Sequence, residues 1–162
     1  MYIKRELGKG LTTFKSLRFG SKHIQKNSLR YEVTVGIGGN VGDVRRRFDR
    51  LVVFFKRDKR VRLVKTSLIL KNPPFGYTKQ DDFFNSIIIL KTDMQPCSFL
   101  SYLLSVEKKF ARKRSFANAP RTLDLDIIFF DNRKIDTPRL KIPHQSWFKR
   151  DSVTIPLMDI QR

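Results

Sequence analysis

The sequence predicts an α+β domain in which one antiparallel sheet packs against two helices. Several short stretches either alternate apolar and polar residues or are rich in β-branched residues, as strands are. Two longer stretches repeat apolar residues every three or four positions, which is typical of amphipathic helices. In chain order these elements read βαββαβ, and two right-handed crossovers fold that order into a four-stranded ferredoxin-like sheet with the helices packed on one face.

The first strand and helix are predicted from Tyr31 onwards. Tyr31 to Ile37 is the strand, and the glycine-rich stretch GGNVGD leads from it into the helix. The backbone N–H groups of such a turn can bind an anion, but this one lacks the Walker lysine, so a tight turn and helix cap is the simpler interpretation. The helix then presents one apolar stripe, which consists of Val44, Phe48, Leu51, Val52 and Phe55.

The next two strands are predicted at 61–70 and 83–90. The first is rich in β-branched residues, and the Asn-Pro-Pro that follows it cannot be helical because proline removes backbone donors and restricts the residue before it. The second is dense in isoleucine, and a mostly polar connection makes it the expected antiparallel partner of the first. Pro96 then suits the first turn of a second helix, whose predicted buried stripe is Phe99, Leu100, Leu103, Leu104 and Phe110.

The last predicted strand carries two acidic residues. Apolar and acidic residues alternate from Leu123 to Ile127, which places Asp124 and Asp126 on one face with Cα atoms about 6.6 Å apart. A solvated polar face would explain such a pattern, but aspartate is disfavoured in strands and two like charges on one face repel. Carboxylate oxygens are the ligands that hard divalent cations prefer. We therefore expect the pair to hold one or two such cations.

A strongly basic loop at 112–121 directly precedes this strand. Guanidinium groups bind phosphate oxygens through paired hydrogen bonds, so an acidic pair beside this loop suits a metal-bound polyphosphate. The sequence thus favours phosphoryl-type chemistry. For a second substrate, Phe83 offers a stacking surface to a flat heterocycle and the Asn85 amide can both donate and accept hydrogen bonds at its edge.

Composition sets the limits of these predictions. A chain of 162 residues with 40% hydrophobic content suits one domain, here residues 31–162, and the net charge of +19 favours polyanionic partners such as nucleotides. The single cysteine excludes an internal disulfide and fits the reducing cytoplasm. Apolar runs are too short to span a membrane.

Residues 1–30 differ from the rest of the chain. They hold eight Lys or Arg and one Glu, and they show no sustained apolar periodicity. No apolar core of a signal peptide follows the basic start. We therefore expect a basic N-terminal extension that is dispensable for catalysis.

Two other function classes remain open on the residues alone. A basic ferredoxin-like domain could bind RNA, although the adjacent Phe129 and Phe130 point to opposite faces of a strand and do not form a stacking platform. A two-metal nuclease would use a similar acidic pair without a pocket for a heterocycle.

From Thr34 to Ile160 the chain resembles the 6-hydroxymethyl-7,8-dihydropterin pyrophosphokinase family. The stretches GIGGNVGD, NPPFG, QDDFFN, VEKKFARKR, APRTLDLDI, IPH and IPLMDI occur in the order and spacing of that family. The resemblance implies a ferredoxin-like α+β fold and transfer of pyrophosphate from ATP to the pterin hydroxymethyl oxygen. It also implies release of AMP, two Mg²⁺ ions, and a monomer that binds neither a membrane nor a specific nucleic acid.

The resemblance further implies a role for individual residues. Arg112 and Arg121 match catalytic positions, and Asp124 and Asp126 match the metal-binding pair. The implied ATP-binding residues are Glu107, Arg114, Ile127, His144 and Arg150. The implied pterin-binding residues are Asn72, Pro73, Pro74, Phe83 and Asn85.

The chain departs from the family pattern at two places. Asn118 and Ala119 stand where members often have Trp-Gly, so an aromatic anchor of the basic loop is missing. Ser152 stands where many members have an aromatic residue, so one of two stacking partners of the pterin must come from elsewhere.

Overall fold

The computed structural model describes residues 1–23, 28–112 and 116–161 of the chain. Within them, eight strands form one sheet, a separate pair of short strands forms a second, and three helices pack around the first. The strands of the large sheet are β1 Ile3–Gly8, β2 Leu11–Lys15, β3 Ser21–Lys22, β4 Tyr31–Gly39, β5 Val61–Thr66, β6 Ile69–Asn72, β7 Phe83–Thr92 and β8 Asp124–Phe130. The helices are α1 Val44–Arg57, α2 Pro96–Lys109 and α3 Asp151–Gln161, and the short pair is β9 Ile135–Asp136 and β10 Lys141–Ile142.

The mixed α+β character is as predicted, but the sheet is larger than the four strands expected. Its main path runs β1-β2-β6-β7-β4-β8, and β5 pairs with both β7 and β3. All of these pairings are antiparallel. The four extra strands have two origins, since residues 3–22 supply three of them and the strand predicted at 61–70 is divided into β5 and β6.

The division falls at Ser67 and Leu68, where the backbone leaves the regular ladder. The Ser67 hydroxyl accepts a hydrogen bond from the Ile87 N–H (2.8 Å), and the Leu68 N–H donates to Asp159 of α3 (2.8 Å). A side chain therefore satisfies each of two backbone donors that an uninterrupted ladder would use. As a result β5 and β6 pair with different halves of β7.

Helices α1 and α2 cover one face of the sheet. The five apolar residues of the predicted α1 stripe are all buried, and Asp43 caps the helix by accepting a hydrogen bond from the Arg46 N–H (3.1 Å). In α2 the predicted Leu100, Leu104 and Phe110 are only partly buried, and the buried set is Pro96, Phe99, Tyr102, Leu103, Val106 and Glu107. The α2 stripe is thus rotated towards Tyr102 and Val106 relative to the prediction.

Helix α3 covers the other face and was not predicted. Leu157 and Ile160 pack there against Ile87 of β7 and Ile128 of β8. The segment lacks a strong helical signal because Pro156 lies inside it. None of the described helices is long and apolar enough to cross a membrane.

Residues 3–22 contribute three strands to the folded sheet, in the part of the chain where a separate basic extension was expected. Strand β2 pairs with β6, β3 pairs with β5, and Phe14 and Phe19 are buried in the core beneath α1. Apolar periodicity missed the β1–β2 hairpin because all six residues of β1 are exposed. The boundary expected at residue 30 therefore does not separate structure from extension.

Candidate active site

Strand β8 brings the two aspartates to the surface of a cavity. Asp124 and Asp126 both line the cavity. Leu125 and Ile127, which alternate with them along the strand, point to the opposite face and are buried in the core beneath α1 and α2. On the neighbouring strand β4, the residues opposite are Gly38 and Gly36. Because glycine has no side chain, the space in front of the carboxylates stays open.

Gly38 also admits the side chain of Asn85 from β7. An added Cβ at Gly38 would lie 2.7 Å from the Asn85 Oδ1, closer than real Cβ atoms approach an oxygen. The Asn85 Nδ2 donates to the Asn72 Oδ1 (2.7 Å), so the two predicted pterin residues are joined. The glycine-rich end of β4 thus serves to give room to polar side chains on both neighbouring strands.

Two arginines hold Asp124. Arg112 Nη1 donates to Asp124 Oδ1 (2.5 Å), and Arg121 Nη1 donates to Asp124 Oδ2 (2.7 Å), so each carboxylate oxygen has one guanidinium partner. Arg112 also donates to Glu107 Oε1 (2.5 Å), which accepts the Leu125 N–H as well (2.8 Å). Glu107 therefore anchors Arg112 and the start of β8 together.

Asp126 has a less favourable environment for its charge. Burial raises the pKa of this carboxyl well above its ordinary value, and the negative charges of Asp124 and Glu107 raise it further. Burial likewise raises the pKa of Glu107. Three carboxyl groups thus share this corner with two guanidiniums, and an additional cation near Asp126 would relieve the repulsion.

Arg121 connects the charged corner to an aromatic surface. Its guanidinium carbon lies 5.2 Å from the centre of the Phe83 ring. Its backbone N–H donates to the Asn40 Oδ1 (2.9 Å), and its carbonyl accepts the Asn40 N–H (3.0 Å). Asn40 lies in the turn after β4, so this turn positions Arg121 through paired hydrogen bonds in addition to leading into α1.

The cavity has a volume of about 450 Å³, enough for a flat heterocycle beside a phosphate chain. One part of the cavity is bordered by the five residues for which the family resemblance implies pterin binding, and another part by His144 and Arg150. Burial lowers the pKa of His144, and the charge of Arg150 lowers it further, so these surroundings favour the neutral imidazole.

Ten of the predicted site residues line this one cavity. They are Asn72, Pro73, Pro74, Phe83, Asn85, Arg121, Asp124, Asp126, His144 and Arg150. Arg112 and Glu107 are not among its lining residues and reach it through Asp124 and Leu125. The Ile127 side chain lies in the core, and Arg114 lies outside the described residues.

Several lining residues were missed by sequence reasoning. Phe75, whose side chain is 77% exposed, follows the two prolines of the NPPFG stretch and adds a second aromatic ring to the cavity. Lys149 comes from the segment around Arg150, where chain proximity was the available signal. Ser152, which the sequence analysis noted only as the position of a missing aromatic residue, also lines the cavity. Lys9 and Leu11 come from the β1–β2 turn, for which no signal was available.

The basic loop is anchored by a different aromatic residue from the one missing at position 118. The Phe116 ring meets the Tyr77 ring edge to face at 5.6 Å, which joins the basic loop to the loop between β6 and β7. The Gln80 Nε2 adds a hydrogen bond to the Asn118 carbonyl (2.9 Å). Two loops at the cavity therefore contact each other without a tryptophan.

Comparison with known proteins decides the family. The family model described as 7,8-dihydro-6-hydroxymethylpterin-pyrophosphokinase (HPPK) matches residues 34–162. The chain belongs to the HPPK family. The match begins inside β4, after β1–β3, and covers every later element, including the acidic pair of β8 and the segment with His144 and Arg150.

Bacterial relatives agree with this assignment. The chain is 37% identical over 149 residues to a 2-amino-4-hydroxy-6-hydroxymethyldihydropteridine pyrophosphokinase of Campylobacter jejuni, covering 85% of this chain and 95% of the relative. It is 40% identical over 127 residues to the protein of the same name in Helicobacter pylori, covering 77% and 78% of the two chains. For the Pseudomonas aeruginosa protein the identity is 35% over 128 residues, covering 79% of each.

Proposed function

We propose that this HPPK family member transfers a pyrophosphoryl group from ATP to 6-hydroxymethyl-7,8-dihydropterin in folate biosynthesis. In this reaction the pterin hydroxymethyl oxygen forms a bond to the β-phosphorus and releases its proton to the solvent, the bond from that phosphorus to the α,β-bridging oxygen breaks, and AMP leaves. The observation that carries the proposal is one cavity that joins a carboxylate pair, an arginine fork and an aromatic and amide pocket. The names of the bacterial relatives support the same reaction.

The pterin lies in the part of the cavity bordered by Asn72, Pro73, Pro74, Phe83 and Asn85. Phe83 stacks on one face of the ring, and Phe75 is the best placed residue to supply the stacking that Ser152 cannot. The Asn85 amide pairs with the edge of the heterocycle, where it donates and accepts at once.

ATP lies along the charged part of the cavity. Arg150 and His144 hold the nucleotide, and the nearby triphosphate favours protonation of His144, whose pKa is low in the free protein. Ile127 contributes through its backbone because its side chain is in the core. Glu107 acts indirectly by anchoring Arg112, and Arg114 belongs to the same basic loop.

Asp124 and Asp126 are the residues that would hold two Mg²⁺ ions. The donor set fits this metal, since both groups are hard oxygen ligands on one open strand face and the pKa of Asp126 is raised in surroundings short of positive charge. The two carboxylates would supply only part of the oxygen ligands that such ions prefer, which leaves positions for phosphate oxygens of the nucleotide. When bound, the metal ions screen the phosphates and stabilise the charge that develops during transfer.

Catalysis by the protein itself is mainly positioning. Arg121 has a permanently charged fork and donates to the bridging region between the α- and β-phosphates, where leaving-group charge develops. Arg112 supports this by holding Asp124 from the other side. Phe83 and Asn85 orient the hydroxymethyl oxygen in line with the β-phosphorus.

The enzyme acts as a monomer in the cytoplasm, binding neither a membrane nor a specific nucleic acid. The test is to incubate the protein with ATP, Mg²⁺ and the reduced hydroxymethylpterin and to quantify AMP. We expect AMP to form only when the pterin and Mg²⁺ are both present. Pterin-independent ATP hydrolysis, or cleavage of DNA or RNA under the same conditions, would contradict the proposal.

A further inference from the structure

The β1–β2 hairpin precedes the family-matched residues, yet its turn reaches the cavity. Lys9 and Leu11 line the cavity together with Asn72 and Pro73. The turn has an unusual backbone, because Gly8, Lys9 and Gly10 all have positive φ angles (87°, 51° and 75°). Glycine accepts such angles freely and lysine rarely does, so the turn holds Lys9 in a specific conformation.

Sheet pairing brings this turn to the pterin loop. Thr12 of β2 pairs with Lys71 of β6, so the chain before Thr12 and the chain after Lys71 leave the sheet side by side. The two segments touch there, since a Cβ added to Gly10 would lie 3.3 Å from the Pro73 Cγ. The position of the turn is therefore coupled to the Asn-Pro-Pro segment.

The base of the hairpin is fixed to the strand that carries Phe83 and Asn85. The buried ring of Phe14 lies 5.9 Å from the Phe84 ring, and the Arg45 guanidinium of α1 lies 4.7 Å from the Phe14 ring and 6.0 Å from the Phe84 ring. These contacts join β2, β7 and α1 in one packed unit. The hairpin thus stands at a defined place beside the pterin pocket.

Lys9 is free to bind a ligand. Among the described residues its ammonium has no hydrogen-bond or ion-pair partner, whereas Lys4 of the same hairpin pairs with Glu6 (2.8 Å). An ammonium offers three donors and no acceptor, so it binds an oxygen or an unprotonated ring nitrogen. Leu11 offers an apolar surface that a flat ring can contact.

We propose that Lys9 and Leu11 form an additional wall of the pterin subsite, which is supplied by the N-terminal hairpin and lies outside the part of the chain shared with the family model. Leu11 packs against the heterocycle, and Lys9 donates a hydrogen bond to an acceptor atom of the pterin. This inference rests on the proposed function, because it assigns the ligand of that part of the cavity. The hairpin then determines pterin affinity without contacting ATP.

The test compares two double variants of the same hairpin. Lys9→Ala/Leu11→Ala removes the proposed wall, and Lys4→Ala/Leu7→Ala removes the same two residue types from β1, where neither residue lines the cavity and Leu7 is 45% exposed. Calorimetric titration measures the Kd of the pterin in the presence of Mg²⁺ and a non-hydrolysable ATP analogue, and separately the Kd of the analogue. The single variants Lys9→Ala and Leu11→Ala, with thermal unfolding of each protein, separate lost contacts from lost folding.

We expect Lys9→Ala/Leu11→Ala to raise the pterin Kd about tenfold, which corresponds to one lost hydrogen bond and one lost apolar contact. The control variant should stay within about twofold of the wild type, as should the Kd of the ATP analogue in all variants. An unchanged pterin Kd, or an equal rise in both double variants, would overturn the proposal while leaving AMP production by the wild type intact. A wild type that makes no AMP would instead overturn the proposed function, and this inference with it.

Discussion

Two regions border the cavity, and they are held in place by different forces. The β1–β2 hairpin is positioned by strand pairing and by the buried rings of Phe14 and Phe84, with few charged contacts of its own. The start of β8 is positioned by ion pairs, since Arg112 and Arg121 both donate to Asp124. The hairpin lies outside the residues matched by the HPPK family model, and β8 lies inside them.

The two regions therefore contribute differently, because the hairpin stabilises the fold and the start of β8 carries the groups for catalysis. Burying Phe14 removes apolar surface from water and stabilises the fold, whereas placing Asp124, Asp126 and Glu107 close together destabilises it. Such repulsion is acceptable where cations and phosphates bind. We therefore expect changes at β8 to affect turnover and changes in the hairpin to affect stability and pterin affinity, and four experiments test this division.

The largest effect on turnover is expected from the acidic pair. Asp124→Asn or Asp126→Asn removes a ligand for the metal and should lower kcat by about 10³-fold or more. In Asp126→Asn the metal-free protein should also become more stable at pH 8. Steady-state kinetics and denaturant unfolding measure the two effects.

The stabilisation expected in Asp126→Asn follows from how the unfolding free energy of the wild type depends on pH. The folded state binds the Asp126 proton more tightly than the unfolded chain does, so the unfolding free energy of the wild type falls as pH rises from the ordinary aspartate pKa through the raised one. Asp126→Asn should lack this fall. A variant that is both inactive and less stable at pH 8 would show that the carboxylate is a structural group.

Arg121 should give the next largest effect. Arg121→Ala removes a charge that acts on the transition state, so the single-turnover rate with both substrates saturating should fall roughly 10³-fold. Arg150→Ala is the matched control, and it should chiefly raise the Kd for ATP. If Arg121→Ala keeps its chemical rate and loses only ATP affinity, Arg112 becomes the better candidate for the transition-state contact.

Asn85 tests the pterin end of the cavity. Asn85→Ala removes an amide that binds the edge of the heterocycle, so the pterin Kd should rise at least about tenfold while the Kd for ATP changes little. Asn132→Ala is a suitable control because Asn132 is exposed and does not line this cavity. Equal losses of affinity for both ligands in calorimetric titrations would contradict the assignment of Asn85 to the pterin subsite.

The smallest effect on turnover, and a large one on stability, is expected from Phe14. Phe14→Ala creates a cavity under α1 and should lower the unfolding free energy by about 3 kcal/mol, with kcat preserved below the unfolding temperature. Phe148→Ala replaces a ring that is 57% exposed and should change stability by less than about 0.5 kcal/mol. A full-length Phe14→Ala protein with unchanged stability would mean that the hairpin is the dispensable extension first expected from the sequence.

Local pattern was sufficient for α1, β4 and β8. The α1 stripe, the strand beginning at Tyr31 and the alternation at Asp124 and Asp126 are all visible in the sequence, because side-chain direction repeats with a fixed period in helices and strands. The same alternation places both carboxylates on one face of the strand.

Only the tertiary structure determined which elements pack against those buried faces. Strand β1 is exposed along its whole length and α3 contains a proline, so neither carries a periodic signal. The hairpin that contains β1 joins the sheet through the pairing of β2 with β6, and α3 packs against β7 and β8, so both depend on partners far away in the chain. The hydrogen bond from the Leu125 N–H to Glu107 and the presence of Lys9 and Asn72 at one cavity likewise depend on how α2, β8, β2 and β6 are arranged. Periodicity specifies which side of an element is buried, but the identity of the neighbour is set by packing and strand pairing over long sequence separations.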